Sequence, residues 1–325
     1  MKIKNCRNCK NTELFDLFSL GKISFTGRFP NTIRQNVPKA YLNVLMCKKC
    51  KLVQLDRNFD LNYLYGKSYG YRTGINKTMT NHVKKTVRKC SALVKLKSKQ
   101  YVLDIGSNDA TLLNFYANDI IKVGVDPLVN KYKKFYKKIN YKISNFFQII
   151  DIKKLKLKKK FKIITSLSVF YDLKDPNRFI KGIKECLDEK GVFVLEHADL
   201  LCIIKNNLFD TICHEHLEYY TLGNIKYMLE QANLKIIDVQ INDINGGSFA
   251  VTAAHMHSNI FSPNKATIDS ILEKEQEMGL STLNPFREFE RRVFEHRNNL
   301  RKLVSSLVSD GKKVFGYGAS TKGNV

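Results

Sequence analysis

The sequence predicts an α/β protein: a doubly wound, mostly parallel sheet, preceded by a small cysteine-stapled module and followed by a helical stretch. Three observations carry this. Short apolar segments alternate with helical ones from about residue 76, which is the pattern of strands laid parallel through crossover helices. Two Cys-x-x-Cys pairs, Cys6/Cys9 and Cys47/Cys50, open the chain. From about residue 263 the pattern turns strongly helical.

Residues 1 to 75 hold both cysteine pairs. Two residues between cysteines let a pair of thiolates grip one side of a tetrahedral zinc, and two pairs complete a four-sulfur site with no open position. Cys6, Cys9, Cys47 and Cys50 are therefore expected to hold a structural zinc ion, with redox pairing the competing reading. The segment between them, with Phe15, Leu17, Phe18, Phe25, Phe29 and Tyr41, is too small to hold a core without such a staple.

Residues 76 to 257 form the expected α/β domain. Tyr101 to Gly106 reads as a strand entering a tight turn, with a helix expected from Ala110 to Ala117. Ile121 to Asp126, Phe161 to Ser166 and Gly191 to Glu196 follow as strands, the last after a helix expected to end at Asp188 to Gly191. Leu234 to Ile241 and Ser248 to Ala254 are two more. Residues 258 to 325 are expected to begin a third module: helices at Ala266 to Met278 and Pro285 to Ser309, then a strand from Lys313 entering the glycine-rich loop Gly316-Tyr317-Gly318-Ala319. A strand and loop with no helix behind them suggest a truncated chain.

The net charge of +25 raises the question of nucleic acid, but the excess is lysine and its densest run, Lys153 to Lys162, lies between predicted strands as a solvated surface. A polyanionic small substrate suits the charge as well. No apolar run is long enough for a membrane span, and no signal segment follows the N-terminus, so a cytoplasmic protein is expected.

The turn Asp104-Ile105-Gly106-Ser107-Asn108-Asp109-Ala110 lies where a nucleotide cofactor binds, at the carboxyl end of the first strand of the domain. Gly106 lets the backbone approach a ligand, and Asn108 and Asp109 are placed to reach its amino-acid end. A dinucleotide enzyme needs further glycines to seat a pyrophosphate, which the carboxylates at 104 and 109 would repel. They suit the ammonium and sulfonium of S-adenosylmethionine. Asp126, 20 residues past Gly106, is placed for the ribose hydroxyls. Together these favour a methyltransferase over a dehydrogenase.

The sharpest cluster of chemically able residues is Asp210-Thr211-Ile212-Cys213-His214-Glu215-His216-Leu217-Glu218-Tyr219-Tyr220, with the block Cys213-His214-Glu215-His216 at its centre. Two histidines are too few ligands for a metal, so acid/base work is expected; on a strand, both would point one way and Glu215 the other. Asn245-Gly246-Gly247-Ser248 either receives a ligand or turns the chain.

These motifs in this order resemble the zinc-containing sugar C-methyltransferases that act on nucleotide-linked 4-keto-deoxysugars, and the resemblance runs the whole chain. It implies a Rossmann-like S-adenosylmethionine-dependent domain, a zinc-binding N-terminal domain and a Rossmann-like C-terminal domain continuing past residue 325. It implies His216 as the base that forms an enolate, with Glu215 as its orienting or substrate-holding partner. Two positions depart from the family pattern. Cys213 stands where the family has tyrosine, and Asp172, in Ser168-Val169-Phe170-Tyr171-Asp172, where a histidine is usual. Tyr71 aligns with a substrate-side tyrosine. The cysteine keeps O- or N-methylation of a sugar or other small molecule open, and a zinc-ribbon protein binding nucleic acid is the remaining alternative.

Overall fold

A computed structural model describes residues 2–316 apart from 29, 31, 33 and 66–68. The N-terminal module is an antiparallel sheet of β1 (Leu14–Ser24), β2 (Lys39–Cys47) and β3 (Val53–Leu55). After β3 come the single turn α1 (Leu61–Leu64) and the long helix α2 (Lys77–Leu93). Asn76 caps α2 by accepting from the Met79 amide, and Val83, Val87 and Cys90 recur along its buried side.

The second sheet collects β4 (Tyr101–Ile105), β5 (Ile121–Val125), β6 (Tyr141–Ile143), β7 (Phe161–Leu167) and β8 (Leu187–Ala198) as parallel neighbours. Helices α3 (Ile149–Lys154) and α4 (Pro176–Cys186) lie on the crossovers, and Asp175 with Pro176 starts α4 as a cap and first-turn proline. Beyond β8 come α5 (Leu200–Lys205), β9 (Glu218–Tyr219) and α6 (Leu222–Gln231), the last opened by a Thr221–Asn224 capping box. The hairpin β10 (Leu234–Asn242) and β11 (Ser248–His255) closes the sheet in the order β10-β11-β8-β7-β4-β5-β6. Helices α7 (Lys265–Glu277) and α8 (Asn284–Ser309) end the described chain.

The structure departs from the sequence reading in several places. The sheet is mixed, because β11 runs antiparallel to β8 and to β10. A hairpin joined through the short Asn245–Gly247 turn has no room for a crossover helix. The helix expected after the Gly106 turn is a single 3₁₀ turn, Leu113–Phe115, because Asn108 and Ala110 both adopt left-handed backbone. Helix α4 ends at Cys186, and Asp188 to Lys190 belong instead to the irregular start of β8. Residues 313–316 are not a strand, and the rest of the glycine-rich loop lies outside the described residues.

The N-terminal sheet does not close its own core. Leu17, Phe18, Leu42, Val44 and Met46 bury against Ile203 and Ile204 of α5 and against Phe286, Phe289 and Val293 of α8. Phe15 and Tyr41 are exposed, and Phe29 lies outside the described residues. The module is bolted to the large domain by polar contacts. Strand β9 joins its sheet through β3. Buried Arg7, inside the first Cys-x-x-Cys, donates to the Leu55 carbonyl at 2.8 Å and pairs with buried Glu218 of β9 at 3.5 Å. Asn224 of α6 donates to the Cys50 carbonyl at 2.9 Å.

Candidate active site and zinc centre

The loops leaving the carboxyl ends of β4, β5 and β7 surround a cavity of about 480 Å³, which Cys213, Glu215, His216 and tyrosines 65, 69 and 71 also line. A parallel sheet leaves its ligand-binding crevice at this edge.

At the β4 end, Gly106 takes a left-handed φ of +75°, and a Cβ there would sit 2.2 Å from Val169 Cγ2. Any side chain would therefore push Val169 out of the loop after β7. Asp104 is buried and accepts from the Thr165 hydroxyl at 2.6 Å; desolvation nonetheless raises its pKa to about 7. Asp126 accepts from the amides of Asn108 (2.9 Å) and Leu128 (2.7 Å), and burial, the larger effect, raises it. Ser107 hydroxyl and Tyr136 hydroxyl lie 2.8 Å apart.

Asp104, Gly106, Ser107, Asn108 and Asp126 line the cavity, whereas Asp109 does not. Its carboxylate turns to the preceding segment, pairing with Arg72 at 3.1 Å and accepting from the Gly74 amide at 3.0 Å. Asn108 accepts from the Thr73 amide and donates to the Tyr71 carbonyl. The two residues thus hold the 71–74 segment, with Tyr71, against the cavity.

The 213–216 segment is not a strand, which undoes the expected alternation. Cys213, Glu215 and His216 all line the cavity. His214 does not: its ring is buried between Phe25 and Phe59, with centroids at 4.6 and 4.9 Å, and desolvation lowers its pKa to about 4. His216 Nδ1 lies 2.8 Å from the Thr211 carbonyl, so Nδ1 carries the proton and Nε2 is the basic nitrogen of the neutral ring. Tyr171 packs on that ring at 4.0 Å. Glu215 accepts from the Thr26 hydroxyl, and the Cys213 thiol also hydrogen-bonds it; burial outweighs both and raises its pKa.

Asp172 lies in the same cavity, and Tyr65 donates to its Oδ2 at 2.5 Å. Full burial drives its pKa far above the carboxylate range, and its Oδ1 has no hydrogen-bond partner among the described residues. Sequence reasoning did not single out Tyr65, Tyr69, Tyr171 or Thr26. A run of tyrosines at 63, 65, 69 and 71 was a legible signal for the first two. Thr26 had none, since it reaches Glu215 across 189 positions.

Asn245 also reaches the cavity from the turn between β10 and β11. Gly247 there has φ +138°, and a Cβ would fall 2.6 Å from Cys202.

One sulfur from each of Cys6, Cys9, Cys47 and Cys50 lies within 4.8 Å of the other three. Cys6 and Cys50 sulfurs are 3.6 Å apart and those of Cys9 and Cys47 3.5 Å, far beyond a disulfide bond. Four thiolates at zinc–sulfur distances of about 2.3 Å stand roughly 3.8 Å from one another, so the cluster fits a tetrahedral zinc.

Comparison with known proteins agrees. A "Methyltransferase domain" family model matches residues 75–239, just over half of the chain. The chain belongs to the methyltransferase family. It is an S-adenosylmethionine-dependent methyltransferase with a zinc-binding cysteine cluster. A "Putative zinc binding domain" model matches residues 6–65 of this methyltransferase, and a "C-methyltransferase C-terminal domain" model residues 243–325. C-methyltransferase NovU of Streptomyces niveus is 28% identical over 296 residues, which span 87% of this chain and 67% of NovU. Among solved structures, an S-adenosylmethionine-dependent methyltransferase of Clostridium acetobutylicum matches 54% of this chain and 92% of its own, at 14% identity and a TM-score of 0.43. Magnesium protoporphyrin IX methyltransferase of Synechocystis with bound S-adenosylmethionine matches 60% and 89%, at 14% identity and 0.40. Among the described residues no helix is long and apolar enough to cross a membrane.

Proposed function

We propose that this methyltransferase methylates a carbon beside the ketone of a nucleotide-linked keto-deoxysugar, with His216 as the base. The observation that carries the reading is the His216 tautomer. Thr211 holds the proton on Nδ1, which leaves a basic Nε2 on a residue of the same cavity as the Gly106 loop. The C-methyltransferase C-terminal domain match and the likeness to NovU support transfer to carbon.

Asp104, Ser107, Asn108 and Asp126 would hold the cofactor. Their buried carboxyls fit a cationic ligand, which would repay the desolvation that now raises them. Bound S-adenosylmethionine supplies an electrophilic methyl group on a sulfonium. His216 takes the proton from the acidic carbon next to the ketone, and the resulting enolate carbon is the nucleophile. Asp172 is held neutral by burial, and with Oδ2 occupied by Tyr65 its proton belongs on Oδ1. A neutral carboxyl so placed donates to the oxygen where enolate charge develops. Glu215, tied to Thr26 and Cys213, orients the sugar. Tyr69 and Tyr71 offer it apolar walls with polar tips.

Solvent exchange tests the reading. Incubated in heavy water without S-adenosylmethionine, the enzyme should move deuterium into the sugar carbon next to the ketone, and His216→Ala should abolish this. Methyl transfer without any exchange would instead indicate a hydroxyl or amine acceptor, the reading that Cys213 in place of tyrosine keeps open.

A further inference from the structure

The edge of the large sheet opposite the cavity carries a second group of metal-type ligands. Glu189 lies in the irregular start of β8, His255 ends β11, and His257 follows in the next turn. One ligand atom from each lies within 4.8 Å of the other two. Because β8 is parallel to β4 while β11 is antiparallel to β8, the start of β8 and the end of β11 meet at the edge away from Gly106. No step of methyl transfer uses these residues.

His255 is the informative member. It is 1% exposed, and its Nε2 lies 3.1 Å from the Leu187 carbonyl, which can only accept. Nε2 therefore carries the proton, and Nδ1 presents a lone pair. That Nδ1 is shielded from solvent and has no hydrogen-bond partner among the described residues. A buried acceptor left unpaired costs on the order of 1–3 kcal/mol. A histidine with one nitrogen bonded to a backbone carbonyl and the other bare has the tautomer seen at metal centres, where the carbonyl fixes the ring. His257 Nε2 and a Glu189 oxygen are 2.7 Å apart, and both side chains are more than half exposed, so an ion has a route in from solvent. The His255 and His257 rings lie 5.4 Å apart.

We propose that Glu189, His255 and His257 bind a divalent transition metal of the zinc class, as three protein ligands with the remaining position left to water. Two imidazoles and one carboxylate suit zinc, nickel or copper(II) and are poor ligands for magnesium or calcium. The ion would enter between groups now hydrogen-bonded to each other. His257 would shift its proton to Nδ1 and turn Nε2 to the metal, while Lys160, 3.8 Å from Glu189, gives up its contact. The site would clamp the start of β8 to the exit of β11, and so brace the edge of the sheet that carries the hairpin.

Calorimetric titration of Zn²⁺ into the full chain, with its four-cysteine zinc already in place, tests this. One further equivalent should bind. His257→Ala and Glu189→Gln, both at exposed side chains, should each weaken that equivalent by about tenfold or more without changing the sulfur-bound zinc. Zn²⁺ should also raise the unfolding midpoint of the parent protein by more than that of His257→Ala, which keeps only the four-cysteine site. Failure to bind a second equivalent, or binding unchanged in both variants, overturns the proposal.

Discussion

At the scale of single residues, the cavity concentrates carboxyl groups that burial holds partly or wholly neutral, and this has measurable consequences. Asp104 titrates near 7 in the folded protein and near 4 when unfolded. The folded state thus keeps a proton that the unfolded state has lost between those values. Stability must fall as pH rises from about 4 to about 7, and this contribution is level above that, with an upper slope of about 1.4 kcal/mol per pH unit. Asp104→Asn removes the ionisation while its amide oxygen can still accept from Thr165. Urea denaturation should show the variant gaining on the parent across that pH range and holding its lead above 7. The same variant should bind S-adenosylmethionine more weakly, and the parent's affinity should rise with pH through 7 as Asp104 releases its proton to meet the cation. Identical pH slopes for both proteins would show that Asp104 is already ionised. Asp172 gives a second residue-level expectation. Asp172→Ala should lower kcat by about 10²-fold with cofactor affinity intact, as loss of one donor to a developing oxyanion does, while Asp172→Asn, which keeps an N–H donor, should lose less. Steady-state rates beside cofactor titrations separate the two.

At the scale of elements, the zinc module and the catalytic segment are one structure. Strand β9 pairs with β3, Arg7 meets Glu218 within it, and Thr26, two residues past the end of β1, holds Glu215. Cys47→Ser, or zinc removal by a chelator, should therefore unfasten residues 213–216 and abolish methyl transfer, while the Gly106 loop still binds cofactor. A metal-free protein with full turnover would disprove that coupling. None of this dependence was legible in the sequence, which gave each cysteine pair and the 213–216 motif but not their meeting, because local patterning carries no register between distant strands. The same limit explains the misjudged turn after Gly106. Thr111 to Phe115 has the apolar content of a helix, yet the left-handed Asn108 and Ala110, with Asp109 pulled toward Arg72 and Gly74, turn the chain before a helix can start. Strands β4, β5 and β7 were readable because each is a short, mostly apolar run, and β10 and β11 because β-branched and other apolar residues recur along them. Direction was not: nothing in the composition of β11 distinguishes an antiparallel from a parallel neighbour.

At the scale of the whole molecule, the described residues form three hydrophobic cores. Two of them sandwich the large sheet, and the third lies under the zinc module, where Phe286 and Phe289 of α8 fill the space against Phe18 and its neighbours. The Phe18 and Phe289 rings are 5.4 Å apart, and Phe286 and Phe289 are fully buried. A chain segment some 270 positions away thus completes the core of the first module, so that core and the zinc staple stabilise the same sheet by independent means. Phe289→Ala should cost about 3–5 kcal/mol, the usual loss for deleting a buried aromatic ring. The loss should be local in the first instance. Amide hydrogen exchange would show β1 and β2 losing protection while β4 and β7, backed by the other two cores, keep theirs. Because β1 leads to Thr26, activity should fall with that protection even though the variant lies far from the cavity in sequence. Excess zinc should restore part of both, since an ion bound only by the folded module shifts its equilibrium back toward folding. Uniform loss of protection across both sheets would mean that the three cores unfold as one.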